Sequence, residues 1–261
     1  MSKLEGRVGL RLLASQPYVR VLCYPTGDPK EAESRVEELE GLGVSAVEFS
    51  GGKEVSGLRV LGKGCVGLVV KAFLGREEAA LKIRRVDADR PDLAKEASML
   101  RAANEEGVGP RLLGFTRNFL LMEFVEGKPI VEWVEGLRDG EKELKRALRK
   151  LLLDCFKLDN RGLDHGELSR AHKHVLVDGA GNPTILDFES ASAGRRPSNL
   201  TSICQFLFFR SEVSGKIAST LGSPPAEKLK GALRAYKAGA TEEKFKKILE
   251  VCGLIEGGAV V

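Results

Sequence analysis

Apolar residues in the second half of the chain recur at the spacing of an α-helix. From residue 144 onward they stand at i, i+4, i+7, i+8, i+11 and i+12, at Leu144, Leu148, Leu151, Leu152, Cys155 and Phe156. This spacing places all of them on one face, so it predicts a long helix that packs against a core. Two apolar runs around a glycine-containing turn predict a pair of strands, HVLVDG and PTILDF. Further helices are predicted after Pro197, in NLTSICQFLFF, AEKLKGALRAYKAG and EEKFKKILEVCG.

Residues 57–126 show a different pattern, in which β-forming runs surround one helical segment. Two or three strands joined by glycine turns are predicted in LRVLGKGCVGLVVKAFL and EEAALKIRRV, and two more in PRLLGF and FLLMEFV. Between these groups Asp92 can cap a helix over LAKEASMLRAANEEG. The order β-β-β-α-β-β predicts a mixed lobe, and the later helices predict a second one. We therefore expect an N-lobe over 57–130 and a helical C-lobe over 131–261.

The first 56 residues predict a strand, a helix and a second strand. YVRVLCY is rich in β-formers, and Asp28, Pro29 and Glu31 fit the N-cap, first position and capping-box carboxylate of a helix. The helix is expected to end at Gly41 or Gly43, before a strand in VSAVEFSG. Two roles stay open for this segment, a structural appendage and a docking or regulatory element.

Composition narrows the class of protein. The 261 residues contain 41 Lys and Arg against 37 Asp and Glu, and a net charge of +4 is too small to indicate nucleic-acid binding. The 5 cysteines are widely spaced, without C-x-x-C, so neither a zinc ribbon nor a disulfide framework is encoded. No signal peptide is evident, and the longest apolar runs fall far short of the ~20 residues that span a bilayer. We expect a cytoplasmic protein without a membrane partner.

Gly62, Gly64 and Gly67 form a G-x-G-x-x-G pattern that precedes a strand-like run. In a dinucleotide-binding unit the glycines open a helix, so the following LVVKAFL argues against that reading. Two interpretations remain, a flap that lays backbone N–H groups over a triphosphate and an ordinary glycine-bearing hairpin. Lys82 ends the apolar run AALK and needs an anionic partner, which Glu96 in the predicted helix can supply.

Two further groups of polar residues are candidates for chemistry. The 3 histidines of the chain, His165, His172 and His174, lie within ten residues of one another and beside Glu167. Such clustering in a loop before a strand favours a functional role. Asp187 closes the apolar strand in TILD, where a carboxylate is well placed to hold a hard cation such as Mg²⁺.

The order and spacing of these motifs resemble the eukaryotic-type protein kinase superfamily, as found in its minimal microbial members. These include the RIO kinases and the small kinase of the tRNA-modifying KEOPS complex, and the chain looks like an archaeal-type serine/threonine kinase of this compact class. The resemblance covers residues from about 58 to 209. It implies an α+β, bilobal fold with a small antiparallel N-lobe carrying one αC-type helix, a mostly helical C-lobe and a βαβ-type N-terminal extension.

The resemblance also implies roles for individual residues. Lys82 would contact the α- and β-phosphates of ATP, Glu167 would act on the acceptor hydroxyl, and Asp187 with His172 or His174 would hold Mg²⁺ or Mn²⁺. Residues 123–126 would form the connector that meets adenine. The residues implied in ATP binding are Gly62, Lys63, Gly64, Gly67, Lys82, Glu96, Glu123 and Val125.

Two departures from the family pattern concern the catalytic groups. Glu167 stands where the family has aspartate, and its extra methylene changes a geometry that is sensitive to shifts of about 1 Å. His172, or His174 if the alignment respects the following strand, stands where the family has a metal-binding asparagine. Imidazole is a poorer ligand than oxygen for Mg²⁺ and a better one for Mn²⁺ or Zn²⁺.

Two further departures concern regulation. Gly166 replaces an arginine that senses a phosphorylated activation loop in many family members. Only about ten residues separate Asp187 from the helix predicted near Ser198, and no A-P-E motif follows. Together these features predict nucleotide binding without a phosphorylation switch, and a phosphoacceptor that is a specific protein surface or a small molecule. For Arg195 and Arg196, three roles stay open: a phosphate receptor, a clamp on the catalytic loop, and a solvated basic turn.

Other function classes share some of these features. The substitutions at Glu167 and His172 also fit a pseudokinase that retains nucleotide binding as a regulatory module. A small-molecule kinase of the aminoglycoside-phosphotransferase type would share the fold and the short activation region. A zinc deaminase using His165-x-Glu167 is disfavoured, because no P-C-x-x-C supplies the remaining ligands.

Overall fold

The computed structural model of the chain describes residues 6–137, 140–209 and 212–255, which form a mixed α+β structure with an antiparallel sheet. The chain divides into two compact units. Unit 1 comprises the described part of Met1–Ser98 together with Pro110–Phe124, and unit 2 comprises Met99–Gly109 together with the described part of Val125–Val261. The expected segments 1–56 and 131–261 include residues 1–5, 138–139, 210–211 and 256–261, which lie outside the described residues.

Unit 1 is built on an antiparallel sheet. Its strands are β1 (Arg7–Gly9), β2 (Ala46–Glu48), β3 (Lys53–Val55), β4 (Leu58–Val60), β5 (Gly62–Lys63), β6 (Gly67–Leu74), β7 (Glu77–Arg84), β8 (Leu112–Phe115) and β9 (Phe119–Glu123). Its helices are α1 (Leu10–Leu13), α2 (Val19–Leu22) and α3 (Pro29–Gly41), and α4 (Ala94–Glu105) begins in unit 1 and continues into unit 2 from Met99. The sheet runs in the order β1-β2-β6-β7-β9-β8, β5 also pairs with β6, and β3 and β4 form a separate pair. Over 57–126 the prediction of strands on both sides of one helix is confirmed, but four strands, β4 to β7, precede α4 where three were expected.

The N-terminal extension differs from its prediction in two respects. YVRVLCY is not a strand: residues Val19–Leu22 form α2, because burying Val19, Val21 and Leu22 in the core of unit 1 outweighs their β-propensity. The first strand is β1 instead, and it pairs antiparallel with β2, so the segment is not a parallel βαβ crossover. The second strand and the helix that begins after Asp28 and ends at Gly41 are confirmed.

A buried arginine joins the extension to the rest of unit 1. Arg35 in α3 has no exposed surface. Its guanidinium donates to the main-chain oxygens of Leu22 and Arg84, both at 2.7 Å, and to Oδ1 of Asn118 at 3.2 Å. The carboxylate of Glu31, which was expected to complete a capping box, instead accepts a hydrogen bond from Nε of Arg35 at 2.8 Å. The extension therefore shares both the core and the sheet of unit 1.

Unit 2 is mostly helical. Its helices are α5 (Ile130–Gly136), α6 (Glu141–Asn160), α7 (Asn199–Phe208), α8 (Glu212–Leu221), α9 (Ala226–Ala238) and α10 (Glu242–Val251). A small antiparallel sheet is formed by β10 (Lys128–Pro129), β11 (Val175–Val177) and β12 (Pro183–Ile185). Two 3-10 helices cover Leu168–Lys173 and Phe188–Ser190. The apolar stripe predicted between residues 144 and 156 is buried in α6, and Phe156 stacks on Phe245 of α10 with ring centroids 4.5 Å apart.

Within the described ranges, no helix combines the length and the apolar character needed to cross a membrane.

All five cysteines are free thiols, as their spacing predicts. Cys65 is exposed, and the other four are buried. Burial raises the pKa of Cys23 to about 11 and that of Cys252 to about 12, so both thiols stay protonated at neutral pH.

Candidate functional site

The glycine motif forms a hairpin turn between two strands of unit 1. Gly62 and Lys63 pair with Val69 and Leu68 across β5 and β6. The N–H of Gly64 donates to the carbonyl of Gly67 at 2.8 Å, which closes the turn. A strand follows the glycines rather than a helix, so the turn lacks the geometry of a dinucleotide-binding unit.

Gly67 is required by the path of the neighbouring strand. A Cβ atom at this position would lie 2.8 Å from the carbonyl oxygen of Ile83 and 3.1 Å from Cγ of Lys82. Both distances are shorter than an ordinary van der Waals contact, so a larger residue would displace β7. Gly67 therefore allows the stem of Lys82 to lie directly against the glycine turn.

Lys82 and Glu96 form a buried ion pair in unit 1. Lys82 lies in β7 between β6 and β9, opposite Val69 and Leu120. Its Nζ donates to both carboxylate oxygens of Glu96 at 2.8 Å, and the two residues are only 5% and 3% exposed. The partner expected from the sequence is thus present, and Lys82 is held by both oxygens of one carboxylate. Its contact with ATP stays a prediction.

The remaining residues implied in adenine and phosphate binding lie near the ends of strands. Lys63 places its Nζ 5.0 Å from the ring centroid of Tyr24, which belongs to the extension. Glu123 ends β9 and its carboxylate accepts from the N–H of Arg111 at 3.2 Å. Val125 is half-buried and is the first residue of unit 2 after β9.

His165 anchors the histidine-rich loop of unit 2. Its Nε2 lies 2.9 Å from the carbonyl oxygen of Leu186, and its Nδ1 faces the N–H of Glu167 at 3.4 Å. The carbonyl can only accept a hydrogen bond and the amide N–H can only donate one, which assigns the neutral tautomer with the proton on Nε2. Burial lowers the pKa of His165, in agreement with a neutral ring. His165 thus joins the loop to the end of β12 and fixes the backbone of Glu167.

Glu167 is held by two side chains of unit 2. Its Oε1 accepts from the hydroxyl of Ser190 at 2.8 Å, and its Oε2 lies 3.1 Å from Nε2 of His174. The hydrogen bond from Ser190, followed by the neighbouring His174 ring, lowers the pKa of Glu167. The carboxylate is therefore ionised at neutral pH and is available as a hydrogen-bond acceptor.

The structure separates the two alternative metal ligands. His174 is 5% exposed, and its Nδ1 faces Oδ2 of Asp187 at 3.6 Å. That distance exceeds a hydrogen bond, and Nδ1 has no hydrogen-bond partner among the described residues. His172, in contrast, is exposed and stacks against Phe206 at a centroid distance of 6.3 Å. His174 is thus the histidine that lies with Glu167 and Asp187, and His172 is not.

Asp187 occupies an unusual backbone conformation. Its φ of 66° and ψ of 77° lie in the left-handed region, which residues other than glycine adopt rarely and often at functional sites. Carboxylate oxygens of Asp187 and Glu189 lie within 4.8 Å of each other. Glu189, two residues after Asp187, is not among the site residues that the sequence predicts.

Arg195 clamps the loop that carries Glu167. Its Nε donates to Oδ2 of Asp164 at 2.5 Å, and its Nη2 donates to the carbonyl of Ser190 at 3.0 Å. The guanidinium lies against Gly166, whose φ is 88° and where a Cβ atom would be 2.5 Å from Nη2. Of the three roles open for Arg195, these hydrogen bonds correspond to the clamp on the loop. The buried Asp164, which also accepts from the N–H of Ser198, was not predicted.

A scan against protein-family models finds no match, and a search of curated proteins finds none either. The kinase resemblance therefore stays a prediction that rests on the residues themselves. Chemically, unit 1 offers an ammonium group fixed beside a glycine turn, which suits a phosphate oxygen. Unit 2 offers three carboxylates and one imidazole, which suit a divalent cation and a hydroxyl proton.

Proposed function

We propose that this chain is an ATP-dependent phosphotransferase of atypical serine/threonine protein kinase type. It transfers the γ-phosphoryl group to a hydroxyl of a protein or small molecule, without a switchable activation segment. The observation that carries the proposal is the position of His174, whose buried ring lies between the carboxylates of Glu167 and Asp187. The Lys82–Glu96 ion pair beside the glycine turn of unit 1 is a second, independent support.

The residues of the chain divide the work of such a reaction. A bound triphosphate with its divalent cation would supply the transferable group and neutralise its charge. Lys82, kept in place by Glu96, donates to phosphate oxygens. Asp187 and His174 would hold the cation. Glu167 is ionised, and it accepts the hydrogen bond of the acceptor hydroxyl and then its proton.

The absence of a switch is supported by how the short segment after Asp187 is held. Ser192 exchanges main-chain hydrogen bonds with Asp164, at 2.9 and 3.0 Å. Arg195 ties the same aspartate to Ser190. With these bonds made by unmodified residues, phosphorylation within 188–198 is not needed to order the segment, and we expect activity without it.

A pseudokinase is the second candidate, and one observation favours it. Both oxygens of Glu167 are already engaged, by Ser190 and by His174, and the side chain is one methylene longer than aspartate. In that case the chain binds the nucleotide and transfers no phosphoryl group. The small-molecule kinase differs from the leading proposal only in the acceptor.

Two measurements separate these candidates. The first is thermal melting with Mg-ATP or Mn-ATP, and the second is transfer of label from [γ-³²P]ATP to protein, small hydroxyl compounds or water. For the wild-type chain we expect a raised melting temperature and label transfer. Glu167→Gln keeps the thermal shift and loses about 100-fold or more of the transfer rate. The control is Glu135→Gln, an exposed carboxylate on α5, which behaves as wild type. Binding without transfer by the wild type supports the pseudokinase, and neither binding nor transfer contradicts both.

A further inference from the structure

The glycine turn, residues 62–67, is contacted by an aromatic residue of the N-terminal extension. Tyr24 is half-buried, and its ring centroid lies 5.0 Å from Nζ of Lys63 and 5.1 Å from the guanidinium carbon of Arg85. Both distances are within the range of about 6 Å at which a cation is attracted to the face of an aromatic ring. One ring of the extension therefore holds two positively charged side chains at the turn.

Arg85 connects this ring to the main chain of the turn. Its N–H donates to the carbonyl of Val66 at 2.8 Å, and its Nη1 donates to the carbonyl of Gly64 at 3.3 Å. The carboxylate of Asp87 accepts from Nε and Nη2 of the same side chain, at 2.8 and 2.7 Å. The guanidinium is thus held by three groups, the carboxylate, the turn and the ring of Tyr24.

Tyr24 is itself fixed to the end of β7. Its carbonyl accepts from the N–H of Val86, two residues beyond that strand, at 2.9 Å. Arg35 of α3 makes a second connection nearby, because it donates to the carbonyls of both Leu22 and Arg84. The main chain of Tyr24 therefore stays beside the end of β7 as long as the extension remains folded on unit 1.

The glycine turn needs such support because its own sequence is flexible. Three of its six residues are glycine, which loses more conformational freedom on ordering than any other residue. A turn that is ordered before its ligand arrives binds that ligand more tightly, because the cost of ordering does not reduce the binding free energy. Lys63, kept at the turn by the ring, also attracts an anionic ligand.

We propose that the N-terminal extension is a positioning element for the glycine turn, and that Tyr24 is the positioning residue through which it acts. This assigns the extension a regulatory role. The order of the turn, and with it the affinity for a phosphate-bearing ligand, depends on residues outside the segment 58–209 that resembles kinases. The inference rests on the proposed function for the identity of that ligand, a nucleoside triphosphate, whereas the contact between Tyr24 and the turn does not depend on it.

Hydrogen exchange of the full chain without nucleotide tests the contact directly. In Tyr24→Ala we expect the amides of residues 62–68 to exchange at least about fivefold faster than in the wild type, because both cation–π contacts at the turn are lost. Tyr24→Phe retains the ring and exchanges as the wild type does. Tyr24→Leu keeps an apolar side chain and loses the ring, so it is the second variant in case Tyr24→Ala does not fold, and it also gives faster exchange.

The matched control is Tyr18→Ala. Tyr18 is a half-buried tyrosine of the same extension, and it stacks on Phe49 with ring centroids 5.2 Å apart. Its removal is expected to lower the stability of the extension without changing the exchange of the turn. Equally fast exchange of the turn in Tyr18→Ala and Tyr24→Ala overturns the proposal, because the turn then responds to loosening of the whole extension and not to the ring.

Calorimetric titration measures the consequence for ligand binding. A non-hydrolysable ATP analogue with Mg²⁺ is expected to bind Tyr24→Ala about tenfold more weakly than the wild type, whereas adenosine, which has no phosphate, binds both chains equally. Tyr24→Phe and Tyr18→Ala retain the wild-type ratio of the two affinities. Equal weakening of the analogue and of adenosine is the result of a merely structural role, and it overturns the proposal.

The outcomes separate the contact from the function. Unchanged exchange of the turn in Tyr24→Ala, or exchange in Tyr24→Phe as fast as in Tyr24→Ala, overturns the positioning role whatever the nucleotide does. Faster exchange in Tyr24→Ala, combined with a wild-type chain that does not bind the ATP analogue, supports the positioning of the turn and overturns the proposed function.

Discussion

Lys82 lies in the interior of a sheet, where a charged side chain requires a partner. It is 5% exposed, and Glu96, fourteen residues later, supplies both carboxylate oxygens at 2.8 Å. The partner was predictable because an apolar strand with one lysine needs one acid within reach, and the helix that follows carries it. Removing one member of a buried pair leaves the other charge uncompensated, whereas replacing both with apolar residues leaves no buried charge.

We therefore expect Lys82→Met to lower the free energy of unfolding of the chain by about 3–5 kcal/mol. The double variant Lys82→Met/Glu96→Leu recovers most of that loss. Urea unfolding followed by circular dichroism measures both. Lys145→Met on α6, which breaks an exposed pair with Glu141, is the control and costs less than about 1 kcal/mol. A single variant as stable as the control would show that the Lys82 pair is not buried as described.

Other residues of the site were not predictable, for physical reasons. The sequence allowed His172 or His174 as the metal ligand, because spacing alone does not show the 3-10 helix over Leu168–Lys173 that turns His172 to the surface. The clamp by Arg195 was one of three open roles. It depends on a contact with Asp164, thirty-one residues earlier, and on the positive φ of Gly166.

At the scale of elements, the long and strongly patterned ones were predictable and the short ones were not. Helices α3, α4, α6, α7, α9 and α10 lie where the sequence predicts helices. The predicted cap of α3 is also present, because Asp28 accepts from the N–H of Lys30 at 2.9 Å. The four-residue helix α2 contradicts its β-forming composition. Its residues are buried in the core of unit 1, and tertiary packing overrides local propensity in so short a segment.

The attachment of α3 to the sheet depends on Arg35. We expect Arg35→Met to lower the free energy of unfolding by about 3 kcal/mol or more, because buried oxygens of Leu22 and Arg84 lose their donor. Arg35→Lys recovers only part of the lost stability, since an ammonium group cannot reproduce the planar set of donors of a guanidinium. Urea unfolding measures the loss. Lys30→Met, exposed on the same helix, changes stability by less than about 0.5 kcal/mol. An Arg35→Met loss as small as that of Lys30→Met contradicts the anchoring role.

At the scale of the whole molecule, the sequence predicted a β-rich part followed by a helical part, and the structure has an α+β chain of two units. It did not predict that β1 and β2 continue the sheet through β6. Strand pairing between segments so far apart in the sequence depends on the packing of the whole unit, which local patterns do not encode. The bilobal kinase-like arrangement stays a prediction.

The central claim is that the chain binds ATP through groups of the kinase-like motifs. Calorimetric titration of the chain with a non-hydrolysable ATP analogue, in the presence of Mn²⁺, tests it most directly. The account predicts saturable one-to-one binding by the wild type and by Lys53→Met, an exposed lysine of unit 1. The stability-matched variant Lys82→Met/Glu96→Leu, which lacks the phosphate donor, binds at least about tenfold more weakly. Absence of saturable binding by the wild type with either Mn²⁺ or Mg²⁺, or equal affinity of the double variant, would contradict the claim.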